Sequence, residues 1–276
     1  QAPDGTVWSP KNYDGKSHGT VPLYSALVHS YNQATVRLGM DLGFERIADT
    51  LQRLGAEREI PPYPSMLLGA VGVTPDEVTG LYQTLASGGF HTPLRVIREV
   101  MTVDGERLRR FPLEVEQVVD PTHVAVLVSA LHEVTKTGTA SSLQKRLPAG
   151  LTVAGKTGTT NDQRDSWFAG FSGEHLAVVW LGRDDNQPTG LTGSSGALTV
   201  WADIMSHIPT RPLPPPVTDK VAYYWIDESS GLLSKANCEG AVYLAFIECT
   251  APQEYSACRE SQSDSGMNWF KNLFNR

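Results

Sequence analysis

The segment that decides the fold runs from residue 151 to residue 171 and reads Leu151-Thr-Val-Ala-Gly-Lys-Thr-Gly-Thr-Thr-Asn-Asp-Gln-Arg-Asp-Ser-Trp-Phe-Ala-Gly-Phe171. Its first half carries valine and threonine, whose branched side chains favour extended backbone, so it predicts a strand. Glycine inside a strand often marks the close approach of a ligand or of other backbone. At a sheet edge this strand would present the Lys156 ammonium, the hydroxyls of Thr159 and Thr160 and free backbone N–H groups to an anionic acyl substrate. The alternative is a surface strand with an exposed lysine.

The residues that follow predict the partner strands of this segment. Residues 167–171 and 175–181 are aromatic or apolar, and Ser172-Gly173 between them has the composition of a turn. This pattern is typical of a β-hairpin. We therefore expect at least three antiparallel strands, with Lys156 on one of them.

The composition limits the classes of protein to which the chain can belong. Its 276 residues, 40% hydrophobic and 19% charged, suit a soluble globular chain of one large domain or two smaller ones. A net charge of -7 argues against binding to a nucleic-acid backbone. No apolar run is long enough to span a bilayer, and the first residues resemble a loop rather than a signal peptide. Gln1 is therefore expected not to be the natural start, and the chain to be a piece of a longer protein.

The three cysteines, Cys238, Cys249 and Cys258, all lie in the last fifth of the chain. They are too few and too widely spaced for a convincing zinc site. One disulfide with a spare thiol is the simpler interpretation and would imply an oxidising compartment. The spacing alone leaves open which two residues pair.

Cap and turn signals divide the rest of the chain into further elements. The predicted helices cover residues 21–30 with Thr20 as cap, a short segment ending near Val36, and residues 44–54, 75–87, 121–136 and 196–208. A hairpin is predicted around Asp104-Gly105.

The last part of the chain has a different composition. Residues 209–216 are rich in proline and predict an extended linker, and the strands expected at 221–226 and 232–234 indicate a small β module. One face of a short helix is predicted near the terminus from Trp269, Phe270, Leu273 and Phe274. That face would dock on the body or on a partner. The alternative is that the segment is a frayed tail.

The tetrapeptide Lys156-Thr157-Gly158-Thr159 has an identical copy at Lys136-Thr137-Gly138-Thr139. The earlier copy falls in the last turn of a predicted helix, with Gly138 at its end, which is ordinary helix-ending chemistry. Only the later copy lies on a predicted strand. We therefore predict a structural role for the first copy and a chemical role for the second.

Two residues near the end of the first predicted helix, Ser30 and Asn32, complement Lys156 chemically. A serine hydroxyl beside a lysine ammonium can pass protons, and an asparagine amide can hold a substrate amide through both its donor and its acceptor. Each pattern alone is common. Together, in the contexts of a helix end and a strand, they form a much stronger signal.

In these residues the chain resembles the C-terminal part of a class A, bifunctional penicillin-binding protein of the 1b type. The signature of these enzymes is Ser-x-x-Lys, Ser-Asp-Asn or a variant, and Lys-Thr-Gly. Ser30-Tyr31-Asn32 matches the second motif and Lys156-Thr157-Gly158-Thr159 the third. The segments at 8–15, 165–170 and 182–186 also resemble the family's flanking sequences. The resemblance covers about residues 1–208, and more loosely the C-terminal module and tail.

The resemblance implies an α+β fold of the serine β-lactamase and DD-transpeptidase type, an antiparallel sheet packed with helices, plus a small C-terminal β module. We expect a partial transpeptidase domain at residues 1–208, a Pro-rich linker at 209–218, the β module at 219–262 and an aromatic amphipathic tail at 263–276. The resemblance also favours a Cys238–Cys258 disulfide with Cys249 unpaired. Such a loop would contribute about 3 kcal/mol of stability.

The family's nucleophilic Ser-x-x-Lys precedes the second motif, and here the chain begins too late to include it. One such pattern exists, Ser142-Leu143-Gln144-Lys145, but it follows the second motif and is interpreted as a coincidence. The nucleophile is therefore expected upstream of this chain. The chain alone is expected to be inactive and poorly stable.

The implied mechanism is an acyl-enzyme pathway without metal or cofactor. Ser30 and Lys156 would relay a proton toward the leaving D-Ala nitrogen, and Asn32 would hold the amide of the donor peptide. Thr157, Gly158 and Thr159 would bind the terminal carboxylate of the peptide or of a β-lactam. The Thr159 backbone N–H would form half of the oxyanion hole.

The resemblance also implies partners and a location. The substrates would be D-Ala-D-Ala stem peptides of peptidoglycan, at the periplasmic face of the bacterial inner membrane, with a glycosyltransferase domain and a membrane anchor upstream. The protein partners would be divisome or elongation proteins and an outer-membrane lipoprotein activator. No binding to nucleic acid is expected. One alternative is a serine D-Ala carboxypeptidase or β-lactamase-like enzyme, against which residues 8–15 and the C-terminal module argue. Another is a non-catalytic module that binds partners in the wall-synthesis machinery.

Overall fold

The computed structural model describes residues 8–216 and 218–258. Its α-helices are α1 (Leu23–Val28), α2 (Asn32–Leu42), α3 (Phe44–Arg53), α4 (Pro75–Ala86), α5 (Pro121–Lys136) and α6 (Ala197–His207). Its strands are β1 (Phe90–His91), β2 (Glu99–Met101), β3 (Arg107–Arg110), β4 (Glu116–Gln117), β5 (Ala154–Thr159), β6 (Ser166–Phe171), β7 (Leu176–Leu181), β8 (Val221–Asp227) and β9 (Ala241–Ile247). All strand pairs are antiparallel, which confirms the expected α+β class.

The segment around Lys156 forms the predicted three-stranded sheet, in the order β5-β6-β7. Lys156 lies opposite Ala169, and Gly158 lies opposite Trp167. Strand β5 begins at Ala154 rather than at residue 151. The Val153 carbonyl explains this later start, because it accepts hydrogen bonds from the His132 ring (2.9 Å) and the Thr135 hydroxyl (2.8 Å) of α5 instead of pairing with a strand.

Helix α5 is the central helix, and it packs against α1, β5 and β9. It begins as predicted after Asp120, whose carboxylate accepts a hydrogen bond from the Thr122 backbone N–H at 2.8 Å. One core cluster joins Val124, Val128 and Leu131 of this helix to Ala154 and Phe171 of the sheet. Each fully buried aliphatic or aromatic side chain of this kind contributes roughly 1.5–3 kcal/mol.

The first helices differ from their predicted bounds. Pro22, rather than Thr20, occupies the cap position of α1 and makes no side-chain cap. The helix ends at Val28 because the chain turns into the left-handed region at Ser30, where φ is 58°. Helix α2 continues past Val36 to Leu42, up to Gly43, whose φ of 91° is the next break. A capping box begins α4, in which the side chains of Thr74 and Glu77 bond reciprocally to each other's backbone N–H groups.

The hairpin predicted around Asp104-Gly105 is confirmed as β2 and β3, although both strands are shorter than expected. The strand predicted at residues 232–234 is wrong. Leu233 makes only isolated bridges, to Ile226 and Tyr255, because the turn after β8 closes through hydrogen bonds between Asp227 and the backbone of Gly231 and Leu232. The true partner of β8 is β9, paired over all seven residues.

A disulfide joins Cys238 to Cys258, with their Cα atoms 5.4 Å apart, and Cys249 is exposed and unpaired. The Pro-rich segment before β8 is attached to the body, because Leu213 and Thr152 exchange two hydrogen bonds of 2.8 Å each. The aromatic residues expected at 263–276 lie outside the described residues. Among the helices of the described ranges, none combines the length and the apolar character needed to cross a membrane.

Candidate active site

The structure brings together Ser30 and Lys156, which are 126 positions apart in the chain. The Lys156 Nζ donates to the Ser30 Oγ at 3.0 Å and to the Thr157 carbonyl at 3.1 Å. Burial lowers the pKa of Lys156 to about 8, because an apolar surrounding disfavours the charged ammonium. The pair therefore joins a hydroxyl to an amine whose protonation can change near neutral pH.

The backbone at Ser30 accounts for the direction of its side chain. Its φ of 58° lies in the left-handed region, which a residue with a Cβ adopts at a cost of order 1–3 kcal/mol. Two hydrogen bonds hold the chain in this shape, from Ser30 N–H to the Leu27 carbonyl (3.3 Å) and from Tyr31 N–H to the Ala26 carbonyl (2.8 Å). The resulting turn between α1 and α2 aims the hydroxyl at β5.

Asn32 occupies the first turn of α2, and its Nδ2 donates to the Lys11 carbonyl at 2.8 Å. Within the described residues, its Oδ1 and its second N–H make no further hydrogen bond and remain for a ligand. Residues 8–15 therefore contribute to positioning this side chain. Buried Asn12 fastens the same segment, because it donates to the Lys16 carbonyl (2.7 Å) and accepts from the Gln33 N–H (3.1 Å).

The two threonines of the β5 motif each receive a hydrogen-bonding partner from another segment. Gly193 N–H donates to the Thr159 Oγ1 at 2.8 Å. The Thr157 Oγ1 lies 2.7 Å from the Thr139 Oγ1. Sequence reasoning missed both partners. The repeated tetrapeptide was the available signal for Thr139, and the glycine-containing run at residues 192–196 was the signal for Gly193.

The loop that carries Gly193 lies directly against the backbone of β5. A Cβ built at Gly193 would fall 2.6 Å from the Gly158 carbonyl oxygen and 2.7 Å from the Trp167 carbonyl oxygen, so only glycine fits. Buried Ser166 fastens the loop, since its Oγ donates to the Thr192 carbonyl (2.7 Å) and accepts from the Ala197 N–H (2.9 Å). The loop thus holds the Thr159 side of the motif at a fixed distance from α6.

Within the described residues, no strand pairs with the outer side of β5, so the backbone N–H groups on that side are free. The strand is at one edge of its sheet, and the Thr160 N–H donates toward β6, to the Asp165 carbonyl at 3.2 Å. Because consecutive residues of a strand point their N–H groups to opposite sides, the Thr159 N–H points to the free edge. Ser30 lies beside the same motif, hydrogen-bonded to its first residue, Lys156.

The Ser-x-x-Lys pattern at residues 142–145 lies in a 3-10 turn, Ser141–Lys145. Leu143 is fully buried in the core, whereas the side chains of Ser142 and Lys145 face solvent. Within the described residues, neither side chain hydrogen-bonds to Ser30 or Lys156. This environment supports the interpretation of the pattern as a coincidence.

His29, immediately before Ser30, connects the site to the β module. Its Nε2 lies 3.1 Å from the Glu228 Oε1, just beyond β8. The ring of Tyr31 stacks on His18 with 4.0 Å between ring centroids. The sequence contained no indication that the partner of His29 would come from the module. Across the described residues, no three histidine, cysteine, aspartate or glutamate side chains converge to hold a metal ion.

Solved structures give the class of the fold. The crystal structure of penicillin-binding protein 1A from Haemophilus influenzae matches with a TM-score of 0.79, over 93% of this chain and 44% of that chain. The PonA1 protein from Mycobacterium tuberculosis, in complex with penicillin V, matches with a TM-score of 0.63 over 75% and 62%. Because the sequence identities are only 24% and 21%, these two similarities concern the fold alone. The expected transpeptidase-type fold is thus confirmed.

The sequence comparisons give the family. The family model described as penicillin binding protein transpeptidase domain matches residues 1–206. The chain is 40% identical over 98% of its length to penicillin-binding protein 1B of Vibrio cholerae, and 36% identical over 94% to penicillin-binding protein 1B of Escherichia coli K12. The chain belongs to the penicillin-binding protein transpeptidase family, and the resemblance to the 1b type is confirmed. It spans 34% and 30% of the lengths of these two relatives.

Proposed function

We propose that this chain forms two walls of a DD-transpeptidase site, which crosslinks peptidoglycan stem peptides through a serine acyl-enzyme and is acylated by β-lactams. The observation that carries the proposal is the 3.0 Å hydrogen bond between the Lys156 Nζ and the Ser30 Oγ. Family membership supports it, and so does the position of both residues in the family's second and third motifs.

The reaction needs a nucleophilic serine, which we place in a Ser-x-x-Lys outside these 276 residues. Its oxygen bonds to the penultimate D-Ala carbonyl carbon, while its neighbouring lysine takes the hydroxyl proton. The peptide C–N bond then breaks, and the terminal D-Ala leaves with a proton. An acceptor amine attacks the acyl-enzyme, forms the crosslink and returns the serine to its free state. We therefore propose that this chain alone is inactive.

Ser30 and Lys156 serve the step in which the C–N bond breaks. A protonated Lys156 donates through the Ser30 hydroxyl to the leaving nitrogen, since the two are hydrogen-bonded and the nitrogen needs a proton to depart as an amine. Burial supports this role, because a pKa of about 8 makes Lys156 a better proton donor near neutral pH than an exposed lysine.

The β5 motif provides donors for the two negative charges of the reaction. The hydroxyls of Thr157 and Thr159 bind the terminal carboxylate of the peptide, or the carboxylate of a β-lactam, and Gly158 between them leaves room for the ligand. The Thr159 N–H at the free strand edge donates to the developing oxyanion. A single donor of this kind contributes roughly 10²–10³ in rate. Asn32 holds the donor-peptide amide through its Oδ1 and its remaining N–H.

We further propose the periplasmic face of the bacterial inner membrane as the location of the protein. The Cys238–Cys258 disulfide supports an oxidising compartment. From the family resemblance we also propose an upstream glycosyltransferase domain and a membrane anchor. On the same basis we propose divisome or elongation proteins and a lipoprotein activator as partners. We propose that the chain divides into a transpeptidase body at residues 1–208, a Pro-rich linker at 209–218, a β module at 219–262 and a tail at 263–276.

Labelling with a fluorescent penicillin, measured by intact mass, tests the function. We compare this chain with the longer protein that carries it. Only the longer protein should gain one covalent adduct. An adduct on this chain alone would contradict the expected position of the nucleophile and identify a serine within it, such as Ser142. Absence of labelling in both would favour the alternative of a partner-binding module.

A further inference from the structure

Thr139, at the end of the first Lys-Thr-Gly-Thr copy, contacts both walls of the site. Its backbone N–H donates to the Val28 carbonyl (3.2 Å), two residues before Ser30. Its hydroxyl lies 2.7 Å from the Thr157 hydroxyl on β5. One residue of the connection after α5 therefore joins the helix that leads to Ser30 to the strand that carries Lys156.

The packing of Gly138 makes this connection rigid. A Cβ at that position would overlap the Val28 carbonyl oxygen and fall 2.7 Å from the Val28 Cγ1. The close approach brings the backbone of Thr139 within hydrogen-bonding distance of α1. The spacing between the two motifs thus depends on residues 138 and 139 as well as on the motifs themselves.

The hydrogen-bond polarity of the two motif threonines gives Thr139 a specific task. A backbone N–H can only donate, so Gly193 leaves the Thr159 hydroxyl with its own proton free for a ligand. A carboxylate can only accept, so Thr157 must also donate when it binds one. Within the described residues, the Thr157 hydroxyl has Thr139 as its one hydrogen-bonding partner, and Thr139 must then be the donor of that pair.

We infer that Thr139 is a positioning residue of the carboxylate site: its hydroxyl donates to the Thr157 Oγ1 and orients the Thr157 proton toward the ligand carboxylate. The inference rests on the proposed function, since it assumes that Thr157 binds that carboxylate. It assigns the first tetrapeptide copy a part in substrate recognition. Thr139 acts through Thr157 and contributes no group to the reacting atoms.

The test compares the acylation rates of the full-length protein by a penicillin with a free carboxylate and by the methyl ester of the same penicillin. Thr139→Val removes the hydroxyl and keeps the branched shape, and we expect about a tenfold loss with the free acid but under about twofold with the ester. Thr139→Ser should restore the rate with the free acid. Thr137→Val is the matched control, because that hydroxyl donates to the Glu133 carbonyl (3.3 Å) and, within the described residues, makes no hydrogen bond to β5, and it should change neither rate.

An equal loss with both ligands, or no loss with either, would overturn the inference, because a purely structural role does not distinguish acid from ester. If Thr139→Val does not fold, as judged by its thermal melt, Thr139→Ala removes the same hydroxyl and the same ratio applies. Acylation of the wild-type protein distinguishes failure of the inference about Thr139 from failure of the proposed function. Acylation by the free acid supports the proposed function whatever the variants do, whereas absence of acylation would remove both.

Discussion

The chain contains the same four residues twice, and the two copies differ in almost every physical property. Lys136 of the first copy ends α5, half exposed, with its Nζ 3.1 Å from the Glu133 Oε1. Lys156 of the second copy is buried on β5, hydrogen-bonded to Ser30, and has its pKa lowered to about 8. The backbone around the tetrapeptide, rather than its sequence, decides whether its lysine is a solvated charge or a proton donor.

The glycines of the two copies differ in the same way. Gly138 has the backbone of α1 against it, whereas Gly158 faces the Trp167 Cβ, 3.1 Å from where its own Cβ would lie. The first copy therefore uses its small residue for packing between helices. The second copy uses it in a strand whose outer edge is open to a ligand. The copies also touch, through Thr139 and Thr157.

Replacement of each lysine by methionine, in separate variants, should give the largest difference between the two copies. In the full-length protein, Lys156→Met should lower the rate of penicillin acylation by about 10³-fold, because the leaving nitrogen loses its proton donor. Lys136→Met should leave the rate within about twofold, because the Lys136 Nζ bonds to Glu133 of its own helix and not to Ser30; the loss of a partner for the buried Glu133 carboxylate should lower stability instead. The measurement is the second-order rate constant for labelling by a fluorescent penicillin.

Thermal melts of both variants provide the control for folding. Equal rates for Lys156→Met and wild type, with both proteins folded, would remove Lys156 from the proton relay. A large loss for Lys136→Met would show that the first copy takes part in the chemistry more directly than its contacts indicate.

The second comparison concerns stability and uses the two glycines. Gly138→Ala should lower the free energy of unfolding by about 1–3 kcal/mol, because the new methyl group overlaps backbone that cannot move without shifting α1. Gly158→Ala should cost less, since its methyl group meets only a tight side-chain contact at 3.1 Å. Urea denaturation of the full-length variants measures both values. A larger loss at Gly158 than at Gly138 would contradict this ranking.

Local patterns were sufficient to predict the sheet and the central helix. The β-branched and aromatic runs at 151–171, with the Ser172-Gly173 turn, specify three adjacent strands, and the Asp120-Pro121 cap specifies the start of α5. These elements are encoded by neighbouring residues, and the structure confirms them. The pairing of β8 with β9 was missed, because the nearest apolar run after the turn, residues 232–234, is not the strand that pairs.

The site was predictable in its residues and less so in its contacts. Ser30, Asn32 and Lys156 could be singled out from their chemistry and from the family's motifs. Thr139 was assigned to helix ending alone, because its local sequence satisfies the signals for a helix terminus completely. Its contact with Thr157 crosses 18 positions and arises only when α5 packs on β5. Glu228, 199 positions from His29, was inaccessible to sequence reasoning for the same reason.

The smallest expected effect is a dependence on pH that only the second copy should produce. Lys156 donates its proton when charged, so its titration should make the acylation rate fall as pH rises through about 8, by up to about tenfold per unit. Lys136→Met should keep this alkaline limb. Loss of the limb in that variant, or a wild-type limb near pH 10.5, would contradict the assignment of the titrating group.

Stability should change in the opposite direction over the same pH range. The pKa of Lys156 is about 8 in the folded protein and about 10.5 in the unfolded chain, so between these values the unfolded chain binds more protons. The free energy of unfolding should therefore rise with pH from about 8 to about 10.5, relative to Lys156→Met measured in the same buffers. Activity and stability thus diverge at one residue, because the burial that makes Lys156 a good donor also disfavours its charged form. A stability difference that is flat across this range would show that the folded chain does not lower this pKa.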